Sequence, residues 1–408
     1  MRVLVVRAAL AAVLLPASVG AQTLSLNESQ ALSRLSDESP RVRAAHAAVD
    51  VARADVVSAG RWPNPRVTFN RETVSGVAET YLTVAQALPV TGRRQLEVSA
   101  ATARVEATSR RVDDRLRRLR ADLRLAFTDL WTAQAREREL ASSRDRLRNL
   151  SDVLARREAG GESAGFDRLR AERSVIDVDA DRAAAAVDRA RAEGLLTSFF
   201  ASTLPAVDGI EAIRPNQPPA TLPPIEDLVA RAEAVRGDLL ALTREREAAS
   251  FMAQVADRRR IPEPEFVAGT KSSSAGTGDI GSMFSVHLSL PLFDHGGPER
   301  AAAQARAVQV DAEAEALRLT IRTEIGAWRA AVIERRGIAG RYRAAVNAST
   351  DDIERIALVS YESGESGILE LLDAHRTASS ARMRQAMLDA AVREAEIELE
   401  FVSGWEIR

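Results

Sequence analysis

The sequence predicts a mainly α-helical chain with a small β part, in which one structural unit occurs twice. Three observations support this fold class. They are long runs with helical periodicity, short stretches that alternate strictly between apolar and polar residues, and matching turn signals about 200 residues apart. Hydrophobic residues make up 46% of the chain but aromatic residues only 4%. This composition is typical of close-packed helices rather than of a bulky globular core.

The N-terminal residues predict export from the cytoplasm. Arg2 and Arg7 provide positive charge, residues 8–15 form a short apolar run, and small residues follow up to Ala21. We interpret residues 1–21 as a Sec-type signal peptide that is removed after Ala21. The chain has no cysteine, so we expect no lipid-anchored N-terminus, disulfide or thiolate metal site.

The strand pattern is clearest just before residue 291. Residues 284–290 alternate with the period of a β-strand, and Pro291 ends the strand because it cannot donate to a ladder. The apolar positions are Phe284, Val286, Leu288 and Leu290, and the polar positions are Ser285, His287 and Ser289. Similar strand pairs predict two β-hairpins, at residues 65–89 and 264–292.

The helical pattern predicts two long antiparallel hairpins, at residues 93–200 and 298–403. The first run, from about residue 95 to 158, has no glycine or proline. At 1.5 Å per residue its roughly 65 residues would span about 100 Å, which implies coiled-coil packing. Glycines near residues 160–165 and 363–367 predict the hairpin turns. We also expect helix across residues 22–60 and 225–260.

The two halves align closely enough to indicate an internal duplication. Leu88-Pro89 matches Leu290-Pro291 at an offset of 202, and Gly161 matches Gly364 at an offset of 203. We therefore divide the mature chain into a first structural repeat at 22–200, a Pro-rich linker at 201–224, and a second structural repeat at 225–408.

The four predicted strands of one chain cannot form a closed membrane barrel by themselves. Four strands are too few for a membrane barrel, and an open sheet in lipid would leave unpaired backbone groups. No uncharged apolar run after the signal peptide reaches the roughly 18 residues of a transmembrane helix. The strands therefore form either a small soluble sheet or part of one barrel that several protomers close together. The signal peptide favours the shared barrel.

The mature chain resembles the TolC-like outer-membrane efflux protein (outer membrane factor) family of Gram-negative bacteria. The most specific match is Tyr361, followed by Gly364, an acidic residue at Glu370 and then Asp373-Ala374. The first repeat keeps the spacing of Gly161 and Asp167, but Glu158 stands where the family often has tyrosine.

This resemblance implies a homotrimer in the outer membrane. Its twelve strands would close a transmembrane β-barrel, continued in the periplasm by an α-helical barrel. The trimer would be the exit duct of a tripartite efflux pump, together with a periplasmic adaptor protein and an inner-membrane transporter of the RND or ABC type. Most of each chain would lie in the periplasm.

The resemblance and the strand pattern also predict site residues. The expected periplasmic gate consists of Tyr361, Glu370, Asp373 and Asp167. The expected adaptor-docking hairpin tips contain Gly161, Ser163, Gly364, Glu365 and Ser366. The expected barrel lumen contains Ser285, His287 and Ser289. Glu370 and Asp373 are three residues apart and so share a helical face, where threefold symmetry would make carboxylate rings.

Other functions are less well supported by the sequence. The near-balanced net charge of -2 argues against nucleic-acid binding. A G-x-S-x-G match at Gly161–Gly165 lacks the preceding strand of a hydrolase, so we expect no enzyme. The four histidines show no metal-ligand spacing, and we expect no metal or cofactor. Two alternatives stay open: the duct of a type I protein secretion system, and a periplasmic coiled-coil scaffold without a channel.

Overall fold

A computed structural model describes residues 23–161, 165–200, 209–214, 221–276 and 278–406. The predicted signal peptide and Ser163 lie outside these residues. The described helices are α1 (Glu28–Ser33), α2 (Pro40–Ala59), α3 (Arg93–Ala159), α4 (Gly165–Thr197), α5 (Ile225–Val235), α6 (Gly237–Arg258), α7 (Gly297–Glu362) and α8 (Ile368–Ser403). The described strands are β1 (Leu24–Asn27), β2 (Arg66–Val74), β3 (Val77–Ala87), β4 (Ile210–Ile213), β5 (Pro264–Ser273) and β6 (Ile280–Leu288).

Two very long helices dominate the molecule, in agreement with the sequence pattern. Helix α3 has 67 residues and α7 has 66, so each is about 100 Å long. Helix α4 runs antiparallel to α3. Glu137 of α3 pairs with Arg189 of α4, whereas Arg148, later in α3, pairs with Asp179, earlier in α4. Helix α8 folds back along α7 in the same way. Each repeat therefore supplies one antiparallel helical hairpin.

The main sheet has four antiparallel strands in the order β2-β3-β5-β6, so β2 and β6 are its free edges. The two predicted β-hairpins pair with each other through β3 and β5, with Val84 opposite Ala268. Strand alternation and register then give the sheet one apolar and one polar face. The apolar face contains Val67, Phe69, Leu82, Val84, Phe266, Phe284, Val286 and Leu288, all of which are exposed.

A second, two-stranded sheet differs from the sequence prediction. Strand β1 pairs in parallel with β4, with Leu24 opposite Ile210. The helix expected from residue 22 therefore starts only at α1, and the region interpreted as a linker contains a strand. The reason is tertiary: Leu26, Ile210 and Ala212 are buried with Leu123, Phe127 and Leu130 of α3 in one hydrophobic core.

The expected helix at 225–260 is also divided in two. Arg236 has an extended backbone, with ψ of 118°, between α5 and α6. Gly237 then starts α6 directly against α3, where a Cβ would overlap the carbonyl oxygen of Arg110 and lie 3.0 Å from the Cβ of Asp114. The helix breaks because this close approach to α3 fixes where α6 can begin.

Apolar clusters hold the helices together at different levels. One core joins α5, α7 and α8 through Leu228, Ile321 and Leu399. Another, which we call the tip cluster, consists of Leu154, Ala171, Ile368 and Leu371. Across the described ranges, no helix combines the length and apolar character needed to cross a membrane.

Candidate functional site at the helical hairpin tips

The two hairpin tips begin with the same backbone geometry over the residues that can be compared, which supports the alignment of the repeats. Gly160 ends α3 with φ and ψ of -80° and -6°, and Ser363 ends α7 with -81° and -7°. Gly161 and Gly364 follow with φ of 75° and 77°. Side chains other than glycine rarely adopt this left-handed conformation. The sequence prediction of turns at these glycines agrees with this geometry.

Tyr361 and Asp167, two of the predicted gate residues, lie together. The Tyr361 hydroxyl donates a hydrogen bond of 2.9 Å to Oδ2 of Asp167. Partial burial and the neighbouring Asp167 carboxylate raise the pKa of Tyr361 to about 12, so the hydroxyl keeps its proton at neutral pH. Because Tyr361 lies on α7 and Asp167 on α4, this bond ties the second hairpin to the first.

The tip cluster backs this hydrogen bond. Leu154 and Ala171 come from the first hairpin, and Ile368 and Leu371 come from the second. The aromatic ring of Tyr361 packs against the same cluster. Polar and apolar contacts therefore close the two tips against each other at one level.

Glu370 and Asp373, the other predicted gate residues, are exposed on the first turns of α8. Glu370 folds back toward the turn, so that a Cβ on Gly367 would lie 3.0 Å from its Oε2. The structure does not bring either carboxylate to the Tyr361–Asp167 bond. Both are available to groups outside this chain.

The first repeat lacks an equivalent of the tyrosine bond. Glu158 occupies the position that corresponds to Tyr361, and Glu370 the position that corresponds to Asp167, both at an offset of 203. Two carboxylates repel each other. Glu158 instead accepts a bond of 2.5 Å from Arg168 in its own hairpin. The contact between hairpins is thus asymmetric although the turns are alike.

The predicted docking tips are open on their outer side. Gly161, Gly364 and Glu365 are exposed, and Ser366 is half-buried. The amides of Glu365 and Ser366 both donate to the carbonyl oxygen of Ser360, at 2.8 and 3.1 Å. These bonds fix the backbone of the second tip while leaving its outer face free.

The predicted lumen residues lie on the polar face of the sheet. Ser285 and His287 are on β6, and Ser289 follows its last residue. His287 lies opposite Glu265, with 3.8 Å between Nδ1 and Oε2. Sequence reasoning did not identify a second polar group on this face. On the polar face, the Glu79 carboxylate accepts a hydrogen bond of 2.5 Å from the Tyr81 hydroxyl and lies 2.9 Å from Nζ of Lys271.

The junction between sheet and helix is tightly packed in the second repeat. Gly296 precedes α7 with φ of 75°, and a Cβ there would overlap the carbonyl oxygen of Ala256 on α6. Gly92 precedes α3 with φ of 74°, but of the described residues other than its chain neighbours none has an atom within 4 Å of such a Cβ. Within the described part of the chain, no three His, Asp or Glu side chains are grouped to hold a metal ion.

Comparison with known proteins places this geometry in context. Residues 228–404 match the model of a family described as outer membrane efflux protein. A relative, the cobalt-zinc-cadmium resistance protein CzcC of Cupriavidus metallidurans, is 23% identical over 366 residues, which cover 87% of this chain and 84% of CzcC.

Solved structures have the same fold over nearly the whole chain. A membrane protein from Pseudomonas aeruginosa gives a TM-score of 0.76 at 20% identity, covering 92% of this chain and 93% of that one. The outer-membrane channel OprN gives a TM-score of 0.75 at 19% identity, covering 92% of this chain and 89% of that one.

Proposed function

We propose that this chain, of which residues 228–404 match the model of the outer membrane efflux protein family, forms the outer-membrane exit duct of a tripartite efflux pump. The resemblance predicted from the sequence is confirmed, and the fold and family are those of channel proteins rather than of enzymes. The duct would carry substrates from an inner-membrane transporter and a periplasmic adaptor across the periplasm and the outer membrane.

The observation that carries this proposal is the open four-stranded sheet. Its apolar face is exposed, with Phe266 at 37% the least exposed of its large side chains and Phe69 and Phe284 at 67% and 69%. A soluble monomer rarely exposes such a continuous apolar patch. Among the described residues, the outer edges of strands β2 and β6 pair with no other strand. Further copies would satisfy both edges, and lipid would cover the apolar face.

Exposed apolar residues on two of the helices also support a homotrimer. Near the tips, α4 and α7 both expose large apolar residues. Those on α4 include Phe166, Leu169 and Ile176, and those on α7 include Ile356 and Val359. We propose that α7 of one copy packs against α4 of the next. Three copies would then give twelve strands and a continuous helical tunnel.

We propose that the hairpin tips form the periplasmic gate. The Tyr361–Asp167 bond would hold each chain closed, and Glu370 and Asp373 would form two carboxylate rings around the narrow opening. Such rings attract cations and repel one another, so they affect both ion selectivity and opening. The polar face of the sheet, with His287 and Ser285, would line the pore in the membrane.

The exposed tips would dock the adaptor. Gly161 and Gly364 have matching left-handed backbones, and both are exposed to a partner. Because the chain lacks cysteine, a cysteine introduced at Ser366 is a unique probe. It should crosslink to a co-expressed cognate adaptor, whereas absence of any crosslink would contradict docking at this tip.

The central experiment is membrane fractionation followed by an unheated gel and planar-bilayer recording. The duct predicts an outer-membrane protein that migrates as a trimer when unheated and forms ion channels after purification. A soluble monomer, or a trimer that never conducts, would contradict the proposal. The same fractionation distinguishes the duct from a periplasmic scaffold, which would be found in the soluble periplasmic fraction.

The relative CzcC favours one class of cargo. Its name describes resistance to cobalt, zinc and cadmium, and the exposed carboxylates of Glu370 and Asp373 would suit a path for divalent cations. Deletion of the gene should then raise sensitivity to these metals more than sensitivity to detergents or dyes. A secretion defect for one protein, without metal sensitivity, would instead favour the type I duct.

A further inference from the structure

We propose that an elongated cavity between α3, α6 and α7 binds a fatty acid, that is, a single acyl chain that ends in a carboxylate. The cavity has a volume of about 440 Å³ and lies at the opposite end of α7 from the hairpin tip. Cavities that hold small molecules have volumes of this order and combine an apolar lining with a few polar groups. The proposal does not depend on the duct function, because binding can be measured whether or not the protein conducts.

The floor of the cavity is apolar and consists mostly of small side chains. The floor residues on α6 are Ala248, Ala249, Met252, Val255 and Ala256. All of them are buried except Met252, which is half-buried. Methyl groups leave space between packed helices that larger side chains would fill. The flexible thioether of methionine adapts to apolar surfaces of different shape. The floor is therefore suited to an apolar ligand.

The cavity is too narrow for a polypeptide helix. Its lining residues extend from Glu245 to Arg259 on α6, about 21 Å, and from Glu299 to Arg306 on α7, about 10 Å. A volume of 440 Å³ over these lengths gives a mean cross-section of about 20–40 Å². A helix with its side chains is 10–12 Å wide and so has a cross-section of about 80–110 Å². A single extended acyl chain fits this shape, whereas a helix of a partner or of a second copy does not.

The acids in the lining are already paired and would not repel an anion. Glu245 lies 2.8 Å from Arg306 of α7 and also pairs with Arg111 of α3. Glu299 pairs with Arg259. An opposite charge at this distance compensates the charge of each carboxylate.

Arg104 is the positive charge that is left for a ligand. It lines the cavity from α3 and is exposed. Within the described part of the chain its guanidinium forms no ion pair, in contrast to those of Arg259 and Arg306. A guanidinium can bind a carboxylate through two parallel hydrogen bonds. One uncompensated positive charge beside an apolar floor matches the single negative charge and the acyl chain of a fatty acid.

The cavity begins where the main sheet passes into the long helix. Ala256 of its floor provides the carbonyl oxygen that a Cβ on Gly296 would overlap, and Gly296 directly precedes α7. If the sheet lies in the outer membrane, as proposed above, this is the end of the helices nearest to lipid. Fatty acids can therefore reach the cavity either from the membrane or from the periplasm.

The test uses the purified full-length protein in amphipol, because detergents are themselves single-chain amphiphiles, and hexadecanoate as the probe. Equilibrium dialysis should show saturable binding of hexadecanoate and about tenfold weaker binding of its uncharged methyl ester. Arg104→Gln should weaken binding of hexadecanoate about tenfold, as expected for loss of one charged hydrogen-bonding partner. Arg115→Gln is the matched control and should leave binding unchanged. Arg115 is exposed on the same face of α3, 11 residues further along, or about 16 Å away.

A second pair of variants tests the cavity without changing its charge. Ala302 of α7 lines the cavity and is exposed, so Ala302→Phe fills the space without entering the buried core. This variant should abolish binding of both hexadecanoate and the methyl ester. Ala305 is exposed on the same helix but does not line the cavity, and Ala305→Phe should bind both ligands as the wild type does.

The proposal is overturned if the wild type shows no saturable binding, if Arg104→Gln or Ala302→Phe binds normally, or if the control variants lose as much affinity. Equal affinity for the acid and the ester would also overturn it, because Arg104 would then not bind the carboxylate. Mass spectrometry of lipid extracted from protein purified without added fatty acid distinguishes the two sources. A fatty acid retained by the wild type but not by Ala302→Phe comes from the membrane, whereas binding only after addition indicates a ligand from the periplasm; both results support the site.

Discussion

Replacement of Gly296 by alanine should destabilise the protein much more than the same replacement at Gly92. Both glycines precede a helix of more than 60 residues, and their φ angles are nearly identical, at 75° and 74°. The left-handed conformation costs an alanine roughly 1–2 kcal/mol at either site. This shared term cancels when the two variants are compared.

The difference between them comes from packing. At Gly296, the new Cβ would overlap the carbonyl oxygen of Ala256 and lie 3.0 Å from its carbonyl carbon. Backbone atoms cannot rotate away, so the start of α7 must move from α6. Overpacking of this kind costs about 1–3 kcal/mol. At Gly92, no atom of the described residues beyond its chain neighbours lies within 4 Å of the added Cβ. We therefore expect Gly296→Ala to be less stable than Gly92→Ala by about 1–3 kcal/mol.

Urea unfolding followed by tryptophan fluorescence measures this difference, and the temperature at which the proposed trimer dissociates on gels gives an independent comparison. Gly92→Ala should reduce both quantities slightly, while Gly296→Ala should reduce both clearly. Equal losses in the two variants would refute the reasoning, because they would show that backbone strain alone decides stability at this junction. A larger loss for Gly92→Ala would mean that a second copy, rather than α6, packs most tightly here.

Three further predictions concern the tips and the helical core. The pKa of Tyr361 is raised from 10.0 to about 12. The hydrogen bond from its hydroxyl to Asp167 therefore stabilises the closed state fully below pH 10, and this stabilisation is lost as pH rises toward 12. Bilayer current should increase across this window in the wild type but not in Tyr361→Phe. Glu370→Gln with Asp373→Asn should raise single-channel conductance or weaken its block by multivalent cations, and unchanged values would contradict a carboxylate ring. Arg124→Gln removes a guanidinium shared by carboxylates on α1 and α8 and should lower the free energy of unfolding by about 3 kcal/mol, measured in urea.

The long elements could be predicted from the sequence because their signals are local and repeated. Helix α3 has no internal glycine or proline, and the glycines of both tips coincide with its end and that of α7. Strand β1 has only four residues, too few for the alternation of apolar and polar side chains to distinguish a strand from a helix. It forms a strand because it pairs with β4, about 186 residues later. Long-range pairing of this kind leaves little trace in a local pattern.

The candidate site was predictable only in part. Tyr361 and Asp167 were expected as gate residues from the family resemblance, but the bond between them depends on how two hairpins pack. A cluster of six charged side chains that joins α3, α7 and α8 had no sequence signal at all; its members are Glu139, Arg146, Asp351, Glu354, His375 and Arg382. The chain contains 58 acidic and 56 basic residues, and those of the cluster have the same helical spacing as many exposed charges. Only the arrangement of α3, α7 and α8 selects these six side chains.

The pairing of β1 with β4 has a consequence for how the protein matures after export. A chain that crosses the inner membrane N-terminus first delivers Leu24–Asn27 long before Ile210–Ile213. During that interval, β1 has no strand to pair with, and the buried side chains of Leu26 and Phe127 are without their final surroundings. Closure of so long a loop is slow compared with formation of local helices. We therefore expect the first hairpin to form early, while β1 and Leu26 reach their final packing only after Ile210–Ile213 have been exported.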